Sequence, residues 1–327
     1  MHSETEPLIS IVIPLYNEAA HLLSFLGAID RQLAGTGCRA ELVVVDDGSA
    51  DKTWSTLAEA AKTQPNLHAV RLSRNFGKEL ALCAGLERAR GDAVIVMDGD
   101  GQHPPELLPE MVRLWQSSGV DIIEAIKTKR GPESMSGRLG ALLFYFGLNK
   151  LAGVNLKGVS DFKLMNRRAV DAWLQMEERN VFFRGMTAWL GFSRIQIPFE
   201  VPGRAGGATG WSFPKRMTLA LTGISAFSSL PLQFVSMAGL LFFLFSILFG
   251  LYTLVLQLTG RSVSGFATVI LLLLIVGSLL MLSLGIIGEY LARIYEEVKR
   301  RPRYVVSGTI NPGDSQSDPS SSFSADS

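Results

Sequence analysis

The chain has 327 residues, room for one large domain or two ordinary ones. Its 31 basic and 30 acidic residues leave a net charge of +1, which argues against a broad nucleic-acid-binding surface. Two cysteines, Cys38 and Cys83, are too few for a metal framework and read as reduced core thiols.

Leu8–Ile13 is a short apolar run ended by Pro14 and predicts a first strand. Further strands are predicted over Glu41–Val45, Leu67–Leu72, Ala93–Met97 and Asp121–Ala125. Helical patterns fill the gaps, over Glu18–Leu33, Lys52–Lys62, Gly77–Arg90 and Glu106–Ser117. Near-continuous apolar strands alternating with helices argue for an α/β fold with a mostly parallel sheet, covered on both faces. Ligands of such sheets bind beyond the C-terminal ends of the strands. Pro14–Glu18, Asp46–Asp51, Arg74–Lys78 and Asp98–His103 all fall at strand ends, so four polar clusters converge on one edge. Leu139–Leu151 is strongly apolar and reads equally as an interfacial helix or a core helix.

The mean hydropathy of +0.25 is high, and its excess is concentrated late in the chain. No Asp, Glu, Lys or Arg occurs from Met217 to Gly260 or from Ser262 to Gly288. About 20 apolar residues cross a bilayer as a helix. Two transmembrane helices are therefore expected over Leu232–Leu258 and Phe266–Ile287, joined by a turn at Gln257–Gly265. Phe213–Ser229 is milder, ends before Pro231 and reads as an amphipathic interfacial helix. Arg204, Lys215 and Arg216 precede the hairpin, Arg293, Lys299, Arg300, Arg301 and Arg303 follow it, and the turn holds only Arg261. Positive residues stay inside. The expectation is a multi-pass protein of the inner membrane, with its N-terminal domain and C-terminal tail in the cytoplasm. The predicted organisation is a soluble domain over 1–211, a juxtamembrane helix over 212–230, two transmembrane helices over 231–290, and a basic segment with a disordered tail over 291–327.

No Gly-x-Gly-x-x-Gly follows the first strand, no Walker-type loop occurs, and the histidines lack zinc spacing. Asp98-Gly99-Asp100 is more informative. Alternating residues at a strand end point the same way, so both carboxylates can face one hard cation, Mg²⁺ or Mn²⁺, beside a diphosphate. The same triplet also serves as an ordinary acidic turn. In Asp46-Asp47-Gly48-Ser49, one acid suits a nucleobase or ribose and the other a helix cap, or both are turn residues.

Taken together, Ile13-Pro14-Leu15-Tyr16-Asn17-Glu18, Val45-Asp46-Asp47-Gly48-Ser49, Ser73-Arg74-Asn75-Phe76-Gly77-Lys78 and Met97-Asp98-Gly99-Asp100-Gly101-Gln102-His103-Pro104-Pro105-Glu106 resemble the family 2 glycosyltransferases of GT-A (Rossmann-like) fold. Asp161-Phe162-Lys163-Leu164-Met165, Phe183-Arg184-Gly185, Trp189-Leu190-Gly191-Phe192, Arg204 with Gly207–Ser212, and Arg301-Pro302-Arg303-Tyr304 are similar to the polyisoprenyl-phosphate glycosyltransferases. Those include dolichol-phosphate mannose synthases and bacterial undecaprenyl-phosphate glucosyltransferases. The resemblance implies that Pro14, Tyr16, Glu18 and Asp46 hold the nucleoside. It implies that Asp98 and Asp100 handle metal and diphosphate with Gln102 beside them. Lys127, Arg130, Arg138, Arg204 and Lys215 become candidates for the lipid phosphate, and Asp100, Asp161 and Arg204 for the catalytic set. The chain departs from many members at His103, Lys127, Ala141 and Lys163. Asp161 is expected to orient the sugar or position Lys163, or else to be a structural acid paired with Arg167 or Arg168.

The expected reaction moves a sugar, glucose from UDP-glucose in the preferred reading, onto undecaprenyl phosphate for cell-envelope or lipopolysaccharide glycosylation. GDP-mannose, UDP-aminoarabinose and UDP-GlcNAc or UDP-GalNAc are the alternative donors, and a non-catalytic membrane scaffold is the alternative class. A lipid phosphate has its second pKa at about 6 and is largely dianionic at neutral pH, so no general base is required. Small residues such as Gly277, Ser278, Ser283, Gly285 and Gly288 suit helix packing within the hairpin or in a homo-oligomer.

Overall fold

The computed structural model describes residues 6–127, 159–179, 181–200, 230–260 and 265–312. Of these, the residues up to 200 and from 301 to 312 form one compact unit, and 230–300 belong to a second. The expected helices over Phe213–Ser229 and Leu139–Leu151 lie outside the described residues.

In the first unit, β1 (Leu8–Leu15), α1 (Leu22–Leu33), β2 (Arg39–Asp46), α2 (Thr53–Ala60), β3 (Leu67–Leu72), α3 (Lys78–Leu86) and β4 (Ala93–Val96) alternate as expected. After them come α4 (Leu108–Ser118), β5 (Ile122–Lys127), β6 (Val159–Asn166), α5 (Arg167–Leu174), α6 (Phe183–Trp189) and β7 (Arg194–Phe199). The strand order is β7-β5-β6-β4-β1-β2-β3, closed at the far end by β8 (Val306–Ile310). The pairs β1–β2, β1–β4, β2–β3 and β5–β7 are parallel. β6 lies antiparallel between β4 and β5, and β8 antiparallel to β3.

Continuous burial explains the apolar strands. On β2, Leu42 and Val44 pack with Leu26 and Ile29 of α1 on one face, while Val43 faces the other among Leu82 and Leu86 of α3. With both faces covered, no polar alternation is needed. Trp173, Phe162 and Phe183 are the largest apolar side chains fully removed from solvent. Both cysteines are free thiols.

The tail corrects one expectation. It is not wholly disordered after Tyr304, because Val306–Ile310 adds a strand to β3. Val306, Gly308 and Ile310 alternate with more exposed Ser307 and Thr309, the period of a half-buried strand. Ser73 N donates to Val305 O at 2.8 Å, Arg303 donates to Met176 O at 2.7 Å, and the Tyr304 hydroxyl bonds Glu87.

The second unit contains α7 (Leu230–Leu258) and α8 (Phe266–Val298), at the positions of the two expected spans, with α8 running eleven residues past Ile287. Large apolar side chains on both, including Leu241, Phe243, Leu248, Leu273, Met281 and Leu284, are exposed. Among the described residues one stretch, Ile275–Val298, is long and apolar enough to cross a membrane; Gly239–Tyr252 is a shorter apolar stretch.

Removing residues 303–312 unpairs the edge of β3. Hydrogen exchange is expected to accelerate across residues 69–73 while β1 keeps its protection. Unchanged exchange there would show that β8 does not hold that edge.

Candidate active site

The direction of β6 determines what meets at the C-terminal edge of the sheet. Because β6 runs against β4, its first residues lie beside the end of β4, with Val96 opposite Lys163. Asp161, two residues earlier on β6, therefore reaches the level of Asp98.

Close backbone contacts hold this edge. A Cβ at Gly99 would lie 2.1 Å from Leu15 Cδ2, so the loop after β4 rests closely on the side chain that ends β1. A Cβ at Gly48 would lie 2.4 Å from the Arg74 carbonyl carbon. Asn17 adopts φ 57°, a region that asparagine tolerates well. Its Oδ1 accepts from Ala50 N at 2.9 Å and its own N–H donates to Ser49 Oγ at 2.9 Å, tying the loop after β1 to the loop after β2.

The nucleoside candidates sit on these loops. Pro14 is buried within β1, opposite Val45. Tyr16 stands exposed beyond the strand end. Glu18 is half-buried, and its carboxyl is pushed up by desolvation and then by the charge of Asp100. Asp46 is fully buried. Its Oδ1 accepts from Ser49 N at 2.9 Å, and its Oδ2 lies 3.3 Å from Arg71 Nε without a hydrogen bond. Asp47 caps no part of α2. It accepts from Phe76 N at 2.7 Å and Gly77 N at 2.9 Å, and so fixes the entry to α3. Desolvation pushes the Asp47 carboxyl up, opposed by those two donors. The start of α2 is served by Asp51, which accepts from Thr53 N at 2.9 Å.

After β4, Asp100 accepts from Gln102 N at 3.0 Å and Gln102 Nε2 at 2.8 Å. The backbone N–H of Asp98 donates to His103 Nδ1 at 2.8 Å. His103 is buried, stacked on Phe162 at 4.9 Å, and burial pushes it down to about 4, so it is a neutral acceptor at pH 7.

Asp161 is the meeting point. It is 3% exposed and receives three charged hydrogen bonds: Lys78 Nζ at 2.5 Å, Arg184 Nε at 2.6 Å and Arg184 Nη2 at 2.8 Å. Burial would raise its carboxyl, but Arg184 and then Lys78 hold it far below the usual carboxylate range. Lys78 Nζ also lies 2.6 Å from Asp98 Oδ1. Lys127, at the end of β5, is half-buried and pushed down by desolvation and then by Arg184, against the pull of Asp98, Asp100 and Asp161. Glu79 fixes α6 by accepting from Phe183 N at 3.0 Å.

Several assignments change accordingly. Asp161 pairs with neither Arg167, Arg168 nor Lys163. Arg167 binds the carbonyls of Ala89 and Gly91, and Arg168 reaches Asp121 at 2.5 Å. Lys163 is fully buried, donating to Thr187 Oγ1 at 2.8 Å with Glu124 at 3.4 Å. Arg184 and Lys78 stood in quoted motifs without a role of their own. The signal that finds them is a buried acid, Asp161, which needs cations. The structure brings together Asp98, Asp161 and Lys78, and electrostatic coupling joins Lys127 and Asp100 to them. Arg130, Arg138, Arg204 and Lys215 lie outside the described residues.

Comparison with known proteins gives a family. The model of Glycosyl transferase family 2 matches residues 10–174. An uncharacterized glycosyltransferase of Synechocystis sp. is 38% identical over 301 residues, covering 91% of this chain and 94% of that protein. The SfII prophage-derived bactoprenol glucosyl transferase of Shigella flexneri is 34% identical over 300 residues, covering 91% and 97%. Glucosyl-3-phosphoglycerate synthase of Mycobacterium tuberculosis, solved with Mn²⁺, UDP and glucosyl-3-phosphoglycerate, is 22% identical, with a TM-score of 0.46 over 68% of this chain and 78% of that one.

Asp161→Asn keeps the shape but strands two cations on a buried amide, a loss expected to cost about 3–5 kcal/mol at pH 7. Because the folded carboxyl lies below its ordinary value of 3.8, the stability it supplies is complete above that value and drains away as pH falls toward the folded value. Thermal unfolding of wild type and variant should show a wide gap at pH 7 that narrows below about pH 4. A gap independent of pH would remove the ionic explanation.

Proposed function

Because the chain belongs to glycosyl transferase family 2, we propose that this glycosyltransferase moves a sugar from a nucleotide-sugar donor onto a polyisoprenyl phosphate at the cytoplasmic face of a membrane. The names of the relatives support glucose as the sugar and an undecaprenyl carrier. The observation that carries the reading is the single cluster formed by Asp98, Asp161, Lys78 and Arg184 at the sheet edge, beside the nucleoside loops.

In this reading Pro14, Tyr16, Glu18 and Asp46 form the nucleoside pocket, and Asp98, Asp100 and Gln102 face the donor diphosphate. These acids fit a divalent cation. Among the described residues no three His, Cys, Asp or Glu side chains converge as a cage, and Mg²⁺ or Mn²⁺ typically takes one or two carboxylates with substrate phosphate and water completing its shell. Such an ion would offset the charge that develops on the departing diphosphate.

The acceptor phosphate arrives ionised, so the protein's task is to place it and compensate its charge. Lys127 and Arg184 are the cations at the cluster suited to that, with Arg130, Arg138, Arg204 and Lys215 assigned from the sequence. Asp161 is no base: a carboxylate carrying three charged hydrogen bonds has little affinity for a proton. It positions Arg184. The chemistry is then one displacement at the anomeric carbon with inversion, the phosphate oxygen bonding as the diphosphate leaves.

Strand β8 supports the two-crossing arrangement. Residues before α7 and after α8 share one sheet, and in this reading both lie on one side of the membrane, with an even number of crossings between them. A lone crossing by Ile275–Val298 is incompatible with that pairing, whereas crossings by both helices satisfy it. The basic residues flanking the hairpin favour the cytoplasm for the shared side.

Membranes carrying the protein, incubated with labelled nucleotide sugars and undecaprenyl phosphate, should yield labelled lipid in the organic phase, with UDP-glucose the best donor. Asp100→Ala should lower the rate by about a hundredfold or more. No labelled lipid from any donor would end the enzyme reading, and full activity in Asp100→Ala would end the diphosphate assignment. In whole cells, a cysteine at Arg261 should react with an impermeant thiol reagent and one at Ser307 should not. The reverse pattern would invert the orientation.

A further inference from the structure

Lys78 has no task in the reaction outlined above, yet its ammonium group stands between two of the acids. Its position is tightly determined. Asp47 holds the backbone of Phe76 and Gly77 immediately before it, and Glu79 immediately after it is bonded to Phe183 N. The side chain runs from this frame to Asp161 Oδ2 at 2.5 Å and Asp98 Oδ1 at 2.6 Å.

The two contacts are unlike. The one to Asp161 is a hydrogen bond. The one to Asp98 is a charge contact without hydrogen-bond geometry, and Asp98 Oδ1 is otherwise buried without a donor. Asp161 carries Arg184 as well, whereas among the described residues the charge contact of the other oxygen of Asp98 is with His103 Nε2 at 3.7 Å, on a neutral ring. Asp98 is therefore the partner that Lys78 releases more easily. An ammonium group and a divalent cation on one carboxylate oxygen would sit at contact distance from each other, and like charges so close repel strongly in a partly buried site.

Resting on the transferase reading, we propose that Lys78 is a resident counter-cation that competes with the divalent metal for Asp98, pivots on Asp161 when the metal arrives with the donor, and then places its charge on the nucleotide diphosphate. The acids at 98 and 161 are thus neutralised from within, and the protein alone holds a divalent cation weakly. A nucleoside diphosphate supplies the negative charge that accommodates the displaced ammonium. Metal and nucleotide must then strengthen each other's binding, reciprocally and by the same factor.

The test measures Mn²⁺ binding rather than turnover. Full-length protein in detergent is titrated with Mn²⁺, and the free ion is read by electron paramagnetic resonance, with and without UDP or GDP. Without nucleotide, Lys78→Met and Lys78→Gln should bind Mn²⁺ about tenfold or more tightly than wild type. The strengthening by nucleotide should shrink in both, while Lys78→Arg, which keeps the charge, should bind Mn²⁺ no more tightly than wild type. Folded neutral variants that match or fall below wild type in nucleotide-free Mn²⁺ affinity overturn the proposal. So does a gain of that size in Lys78→Arg, which retains both ion pairs if the neutral variants do not fold. A wild type that ignores both nucleotides and makes no lipid-linked sugar would instead end the transferase reading, leaving the nucleotide-free comparison to judge Lys78 by itself.

Discussion

Burying Asp161 at the edge of the sheet is costly unless cations meet it there, and the local architecture follows from that constraint. An isolated carboxylate in such a place would take up a proton. It stays ionised because Lys78 arrives from α3 and Arg184 from α6, and each of those helices is fixed in turn. Asp47 at the end of β2 sets the entry to α3, and Glu79 on α3 sets the entry to α6. Strands β2 and β6 and helices α3 and α6 are thus coupled through charged hydrogen bonds rather than through apolar packing alone. Interactions of this kind favour one geometry over many, since a partner that moves away leaves an unpaired buried charge behind.

The loops after β1 and β2 obey a different constraint. They carry few charged contacts and are positioned by backbone contacts: Gly48 against Arg74, and Asn17 clasping the loop after β2. In the proposed reaction these loops would meet the base and ribose of the donor, and the charged cluster its diphosphate. That division suits a reaction in which the leaving group must be gripped while a second anion approaches.

Much of this was legible in the sequence, and what escaped has physical causes. Strands β1 to β5 announced themselves because both faces are buried, giving unbroken apolar runs that end in polar clusters. The segment Asp161–Met165 was visible as a motif but not as a strand, because Asp161 and Lys163 interrupt its apolar pattern; both are tolerated inside only through partners remote in sequence. The same remoteness hid Arg184 and Lys78. Nothing near either residue marks it as a ligand of a carboxylate on another element, 23 residues away in one case and 83 in the other. Strand β8 was missed because Val306–Ile310 is short, contains a glycine and sits in polar company, so the surrounding composition outweighed a five-residue alternation.

That last strand has a bearing on how the molecule is made. The chain leaves the ribosome from its N-terminus, so β3 and all the other strands are synthesised before either apolar helix, and β8 comes after both. Until residues 306–310 emerge, β3 presents an open row of backbone donors and acceptors, the kind of edge on which chains pair wrongly. Closure of the sheet therefore waits until both apolar helices have been made, and a strand that the chain needs early is supplied late.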